Sequence, residues 1–121
     1  MTFEKVLEVF SDYLTGDKSS EVFRSSRGCI VVNWENCLQN DWVTGQFCST
    51  PEDLQDILRL SYVEYQSLRL IDDYKRDLTE QEYQDIEHMG LELAARCEKN
   101  EQSYPYKKRT GSGNLGIVIT Q

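Results

Sequence analysis

CIVVNWENCLQNDWVTGQFCSTPED, residues 29–53, is the stretch on which the fold reading turns. Its first part, CIVVNW, is rich in β-branched residues, which suit a pleated strand better than a helix. The polar loop ENCLQND follows, and WVTGQFC reads as a second strand, so residues 29–48 form a hairpin. Alternation puts Ile30, Val32 and Trp34 on one face and Cys29, Val31 and Asn33 on the other. The first set is expected to face the helices, and Trp34 and Trp42 to belong to the same hairpin. Just upstream, EVFRSS reads as a short strand that Arg27-Gly28 turns into the hairpin, which makes a three-stranded antiparallel sheet.

The quoted stretch ends on a helix start. Thr50 is placed to cap, Pro51 falls at the first helical position, and Glu52 and Asp53 sit at the positive end of the helix dipole. From there Leu54, Ile57, Leu58, Tyr65 and Leu68 define an inward face as far as about Leu70. Leu60, Val63 and Leu70 form a second apolar side, which a third helix is expected to cover. That helix opens on a Thr79/Glu82 capping box and turns Tyr83, Ile86, Gly90, Leu93, Ala94 and Cys97 inward. Ahead of the sheet, Phe3, Val6, Leu7, Phe10, Tyr13 and Leu14 recur at helical spacing. They predict one helix over roughly 2–15, with Gly16 as its left-handed cap. The fold class is therefore α+β: one N-terminal helix, three strands, then two helices.

The chain has 121 residues, 39% of them hydrophobic, enough for one modest core. Residues 1–100 are read as a single domain, and SYPYKKRTGSGNLGIVITQ as a flexible basic, Gly-rich tail unless GIVIT finds a sheet edge. Net charge is −8 and uneven: residues 1–50 hold 4 basic against 7 acidic side chains, residues 51–100 hold 6 against 13, and residues 101–121 hold 3 against 1. Such a body repels phosphate backbones and anionic membranes and attracts basic partners. No apolar run approaches a membrane span, and the N-terminal MTFEKVLEVFSDYL carries acids inside its apolar pattern. A soluble cytoplasmic protein is expected.

Chemistry has few parts here. Cys29, Cys37 and Cys48 are separated by seven and ten residues, whereas tetrahedral metal sites on hairpins begin from cysteines two to four apart. Cys29 and Cys48 read as small apolar sheet residues and Cys37 as an exposed loop thiol. The lone histidine, His88, falls opposite the apolar arc of its helix and has no matched nucleophile. Asp72-Asp73 and Glu80/Glu82 lie at helix ends, where solvated acids are ordinary. No catalytic, cofactor-binding or metal residue is assigned. The candidate interaction surface comprises Trp34, Trp42, Leu60, Val63 and Leu70 with the acids Asp53, Asp56, Asp72 and Asp73. Self-association through the sheet edge or the second helix belongs to the same reading.

The order helix, three strands, helix resembles that of a double-stranded RNA-binding domain. Where such domains carry basic residues at the start of the following helix, this chain has Thr50-Pro51-Glu52-Asp53-Leu54-Gln55-Asp56. The run RGCIVVNWE followed by FCSTPEDLQD, with a short helix ahead and an acidic helix behind, resembles small accessory proteins of phage and conjugative elements of gut Firmicutes, a similarity that covers residues 2–98. That resemblance implies a mobile-element setting and no catalytic residues. The expected function is a non-enzymatic accessory role by protein–protein interaction with an unknown protein partner, for which the charge favours a basic one. The alternatives are an acidic nucleic-acid mimic that inhibits a DNA- or RNA-handling protein, and a thiol- or metal-dependent enzyme around Cys29, Cys37 and Cys48.

Overall fold

The computed structural model describes residues 1–36 and 41–103, and the side chains of all of these except 35, 36, 41–44 and 99–103. The loop around Cys37 and the segment after 103 lie outside the described residues, and so do the expectations placed on them. The element order is α1 (Phe3–Val9), α2 (Ser11–Gly16), β1 (Ser20–Ser25), β2 (Gly28–Asn36), β3 (Asp41–Cys48), α3 (Pro51–Tyr74) and α4 (Glu80–Ser103). This is an α+β fold on a three-stranded antiparallel sheet of order β1-β2-β3.

Four helices are described rather than three, because the N-terminal helix divides at Phe10. Phe10 leaves helical geometry (φ −93°, ψ 11°), although its N–H still reaches Val6 O at 3.1 Å and its carbonyl accepts from Leu14 at 3.0 Å. A fully buried Phe10 anchors the bend, and helical spacing on both sides of it hides the break from a periodicity reading. Gly16 is no left-handed cap either; among the described residues positive φ occurs only at Gly28 and Lys75. Lys75 (φ 61°) ends α3 four residues later than periodicity suggests.

Which side of the hairpin meets the helices is the main correction. Val22 of β1, Cys29 and Val31 of β2 and Cys48 of β3 lie in the core with Val6, Leu7, Phe10, Leu54 and Leu58. The face that carries Ile30, Val32 and Trp34 points away from the helices. Period-2 alternation sorts residues into two sets without saying which set turns inward. Small Cys and Val side chains allow helices to lie close on the sheet, while register gathers the bulkier Phe23, Trp34 and Phe47 on the outer face.

Local hydrogen bonds fix the frame. The Thr50 hydroxyl accepts from Asp53 N at 3.1 Å, and the capping box of α4 is complete, with Thr79 N to Glu82 Oε1 at 2.8 Å and Glu82 N to Thr79 Oγ1 at 3.1 Å. Arg76, whose Nη1 and Nη2 lie 3.0 Å from the two Glu82 oxygens, holds that carboxyl far below its usual range. At the junction of α2, β1 and β2, the Tyr13 hydroxyl donates to buried Asp17 (2.7 Å). Ser20 Oγ lies 3.2 Å from the same oxygen and 3.1 Å from Asn33 Oδ1. Burial and the Asp17 contact raise the Tyr13 pKa, so the hydroxyl remains a donor at neutral pH. Arg24 of β1 pairs with Glu4 of α1 at 2.9 Å and lies over the Phe3 ring, which seats α1 beside β1. No described helix is long and apolar enough to cross a membrane.

Candidate interaction surface

The cysteine-rich stretch holds no exposed chemistry among its described residues. Cys29 and Cys48 are register partners on the inner face, and Cys97 of α4 joins the same core; each is fully buried as a free thiol. Burial pushes all three thiols up, Cys48 and Cys97 to about 11, so the nucleophilic thiolate is scarce at neutral pH. His88 is solvated and lies 3.2 Å from Glu92 one turn on. Among the described residues no group of three or more His, Cys, Asp or Glu converges as a metal site. Alkylation with iodoacetamide at pH 8 should leave Cys29, Cys48 and Cys97 unmodified in the native protein and label all three in denaturant. Mass spectrometry of each cysteine checks this, and rapid native labelling at position 48 would contradict its burial.

The outer sheet face is different. Phe23, Ile30 and Phe47 are cross-strand partners and form one apolar row over all three strands. Phe23 is 45% and Phe47 52% exposed, values unusual for large aromatics on a small domain. Beside the row, Val32 is buried and half-buried Trp34 donates from Nε1 to Glu21 Oε1 at 2.7 Å. That contact orients Glu21, the one acidic side chain that the β1 register places on this face.

A second exposed region runs along α3. One side of this helix buries Leu54, Leu58 and Tyr62 in the core, and another meets α4, where a Cβ added to Gly90 would come within 3.2 Å of Val63 Cγ2. Helix α3 rests on β2 and β3, and α1 occupies its β1 side. Its remaining side faces solvent, since Leu60 lies about 200° around the helix from the fully buried Leu58. On that flank stand Leu60 (60% exposed), Glu64 and Leu68 (59% exposed), with Asp53 and Asp56 one to two turns earlier. Among the described residues no strand pairs with the outer edge of β3.

The predicted surface is thus divided. Trp34 lies on the outer sheet face, opposite Trp42 in backbone register, where the pairing carries bulges; the Trp42 side chain is outside the described set. Leu60, Asp53 and Asp56 share the α3 flank. Asp72 and Asp73 are exposed at the other end of that helix, about 29 Å from Asp53 at 1.5 Å per residue. Val63 does not belong to an exposed surface, because α4 packs on it, and Leu70 is half-buried. Leu68 and Tyr83, expected inward, are largely exposed. Phe23 and Phe47 escape the sequence reading, although alternation in EVFRSS and WVTGQFC pairs them once the outward face is known. Compared with protein-family models, with curated proteins and with solved structures, the chain has no match in any of the three.

Proposed function

We propose that the chain is a non-enzymatic accessory protein that works by protein–protein contact through the outer face of its sheet. The mobile-element setting implied by the sequence resemblance belongs to the same proposal. One observation carries the reading: the Phe23–Ile30–Phe47 row crosses a sheet face on which no described helix packs. Antiparallel sheets with one solvated face ordinarily make that face polar, and apolar surface left in water forgoes roughly 25 cal/mol per Å² of burial. An aromatic row there suits a partner that is itself apolar and carries little charge at the contact.

Affinity capture from the native host with mass spectrometry tests this when three forms of the full chain are compared. The wild type should retain its partner as salt is raised, and a folded F23E/F47E variant should lose it by at least about tenfold. If the partner instead stays on F23E/F47E, is lost on D53N/D56N/D72N/D73N and dissociates steeply with salt, the sheet-face reading fails and acidic imitation of nucleic acid replaces it.

A further inference from the structure

The solvent side of α3 carries an apolar stripe that the core does not use. Taken about the helix at ~100° per residue, Ile57, Leu60, Leu68 and Ile71 all fall within about 40° of Glu64. Fully buried Leu58 lies about 120° to one side of Glu64, and Val63, which meets α4, lies about 100° to the other. The stripe therefore looks away from both the sheet and α4. Leu60 and Leu68 are the most exposed large apolar side chains among the described residues, while Ile57 and Ile71 are half-buried.

This stripe is symmetrical in sequence. Its apolar residues stand seven and four positions before Glu64, then four and seven positions after it. A two-fold axis through Glu64, perpendicular to the helix, carries the pattern onto itself. In an antiparallel pair of α3 helices Ile57 meets Ile71 of the second copy and Leu60 meets its Leu68, with the two leucines of each layer on opposite sides of the seam. A helix of an unrelated protein needs no such symmetry, whereas a second copy of this chain does.

Charge follows the same symmetry. Asp53, eleven positions before Glu64, meets Lys75 of the second copy, eleven positions after it. Both are exposed, and Lys75 has only an exposed carboxylate, Asp72, at 3.8 Å within its own helix to leave. Asp56 and Asp72 come to matching heights but lie about 80° to either side of Glu64, on opposite flanks of the seam, so they do not face each other. Glu64 alone opposes the pairing, because it meets its own copy on the axis as a like charge. We propose that α3 pairs with α3 of a second copy, antiparallel and two-fold along residues 57–71, with ion pairs between Asp53 and Lys75 at both ends and Glu64 as the contact that keeps the association weak. The outer sheet face lies across the sheet from α3, so such a dimer leaves it open and offers a partner two of them.

Sedimentation of the full chain over a concentration series, from about 10 μM to about 1 mM, tests this by mass action. The wild type should pass from monomer to dimer across the series. E64Q should do so at a concentration lower by at least about tenfold, because the like charge on the axis is gone. L60D/L68D should stay monomeric and, by circular dichroism, folded, since both side chains stand in water. D53K should weaken the dimer and D53K/K75D should restore it, a rescue that a parallel pair or another surface would not give. An L60D/L68D dimer as strong as the wild type, or an E64Q protein monomeric throughout, overturns the proposal. F23E/F47E should dimerise like the wild type, so this proposal and the partner reading can each fail alone. A dimer lost in F23E/F47E and kept in L60D/L68D overturns it in favour of the sheet face.

Discussion

Replacing Val31 by Asp is expected to abolish the folded state at neutral pH. Val31 is fully buried on the inner face of the central strand, in one cluster with Val22, Cys29, Cys48, Leu54 and Leu58. A carboxylate at that site would have no water and no cation within the apolar cluster. Burying it, or protonating it to avoid the charge, costs about 4 kcal/mol or more, comparable to the whole stability of a small domain. Phe23→Asp is the matched control: its side chain stands on the outer face in contact with water, so the variant should melt within a few degrees of the wild type. Circular dichroism melts of the pair decide the point. A V31D protein that melts like the wild type, beside an unfolded F23D, would mean that the sheet faces the other way.

Gly28→Ala should be the most costly Gly-to-Ala change among the described residues. Gly28 has φ +152°, a backbone conformation that L side chains rarely adopt. A Cβ there would overlap the Cys48 carbonyl oxygen and lie 3.2 Å from both the Cys48 carbonyl carbon and Phe47 Cζ. The obstacle is backbone of the neighbouring strand, which cannot rotate aside, so the β2–β3 pairing must open where it begins. A loss of about 3 kcal/mol is expected from the strained dihedral and the displaced strand together. Gly90→Ala makes the contrast, since its Cβ would meet side chains rather than backbone, Val63 Cγ2 at 3.2 Å, Arg59 Cγ at 3.3 Å and Tyr62 Cδ2 at 3.7 Å. A helix interior also gains about 1 kcal/mol on going from Gly to Ala, so the net effect there should be small. Urea unfolding of both variants measures the difference, and a G28A midpoint equal to wild type would contradict the close approach of the strands.

Several elements are legible in the sequence because their signals are local. Thr50-Pro51-Glu52-Asp53 and Thr79/Glu82 satisfy helix-end N–H groups within a few residues, and both caps form as their residue types predict. The hairpin is equally plain in CIVVNW and WVTGQFC. Less of the surface is legible. Periodicity ranks Leu68 as inward beside Leu54 and Leu58, and sets Leu60 on a second apolar side that a third helix is expected to cover. Only the placement of α1 and α4 around α3 leaves the Leu60–Leu68 flank open.

Sequence alone determined where the three strands and the two long helices α3 and α4 start, that the sheet is antiparallel, and that its two faces carry the sets Cys29/Val31 and Ile30/Val32/Trp34. These follow from backbone periods and from caps a few residues long, which act before any long-range contact exists. Tertiary structure decided which set turns inward, that the first helix bends at Phe10, and that Phe23 and Phe47 remain in water on one side while Val63 is covered on another. Each of these choices is made by the fit of one element against others distant in the chain, where side-chain volume and the closeness of helix to sheet select between arrangements that local energies leave equal.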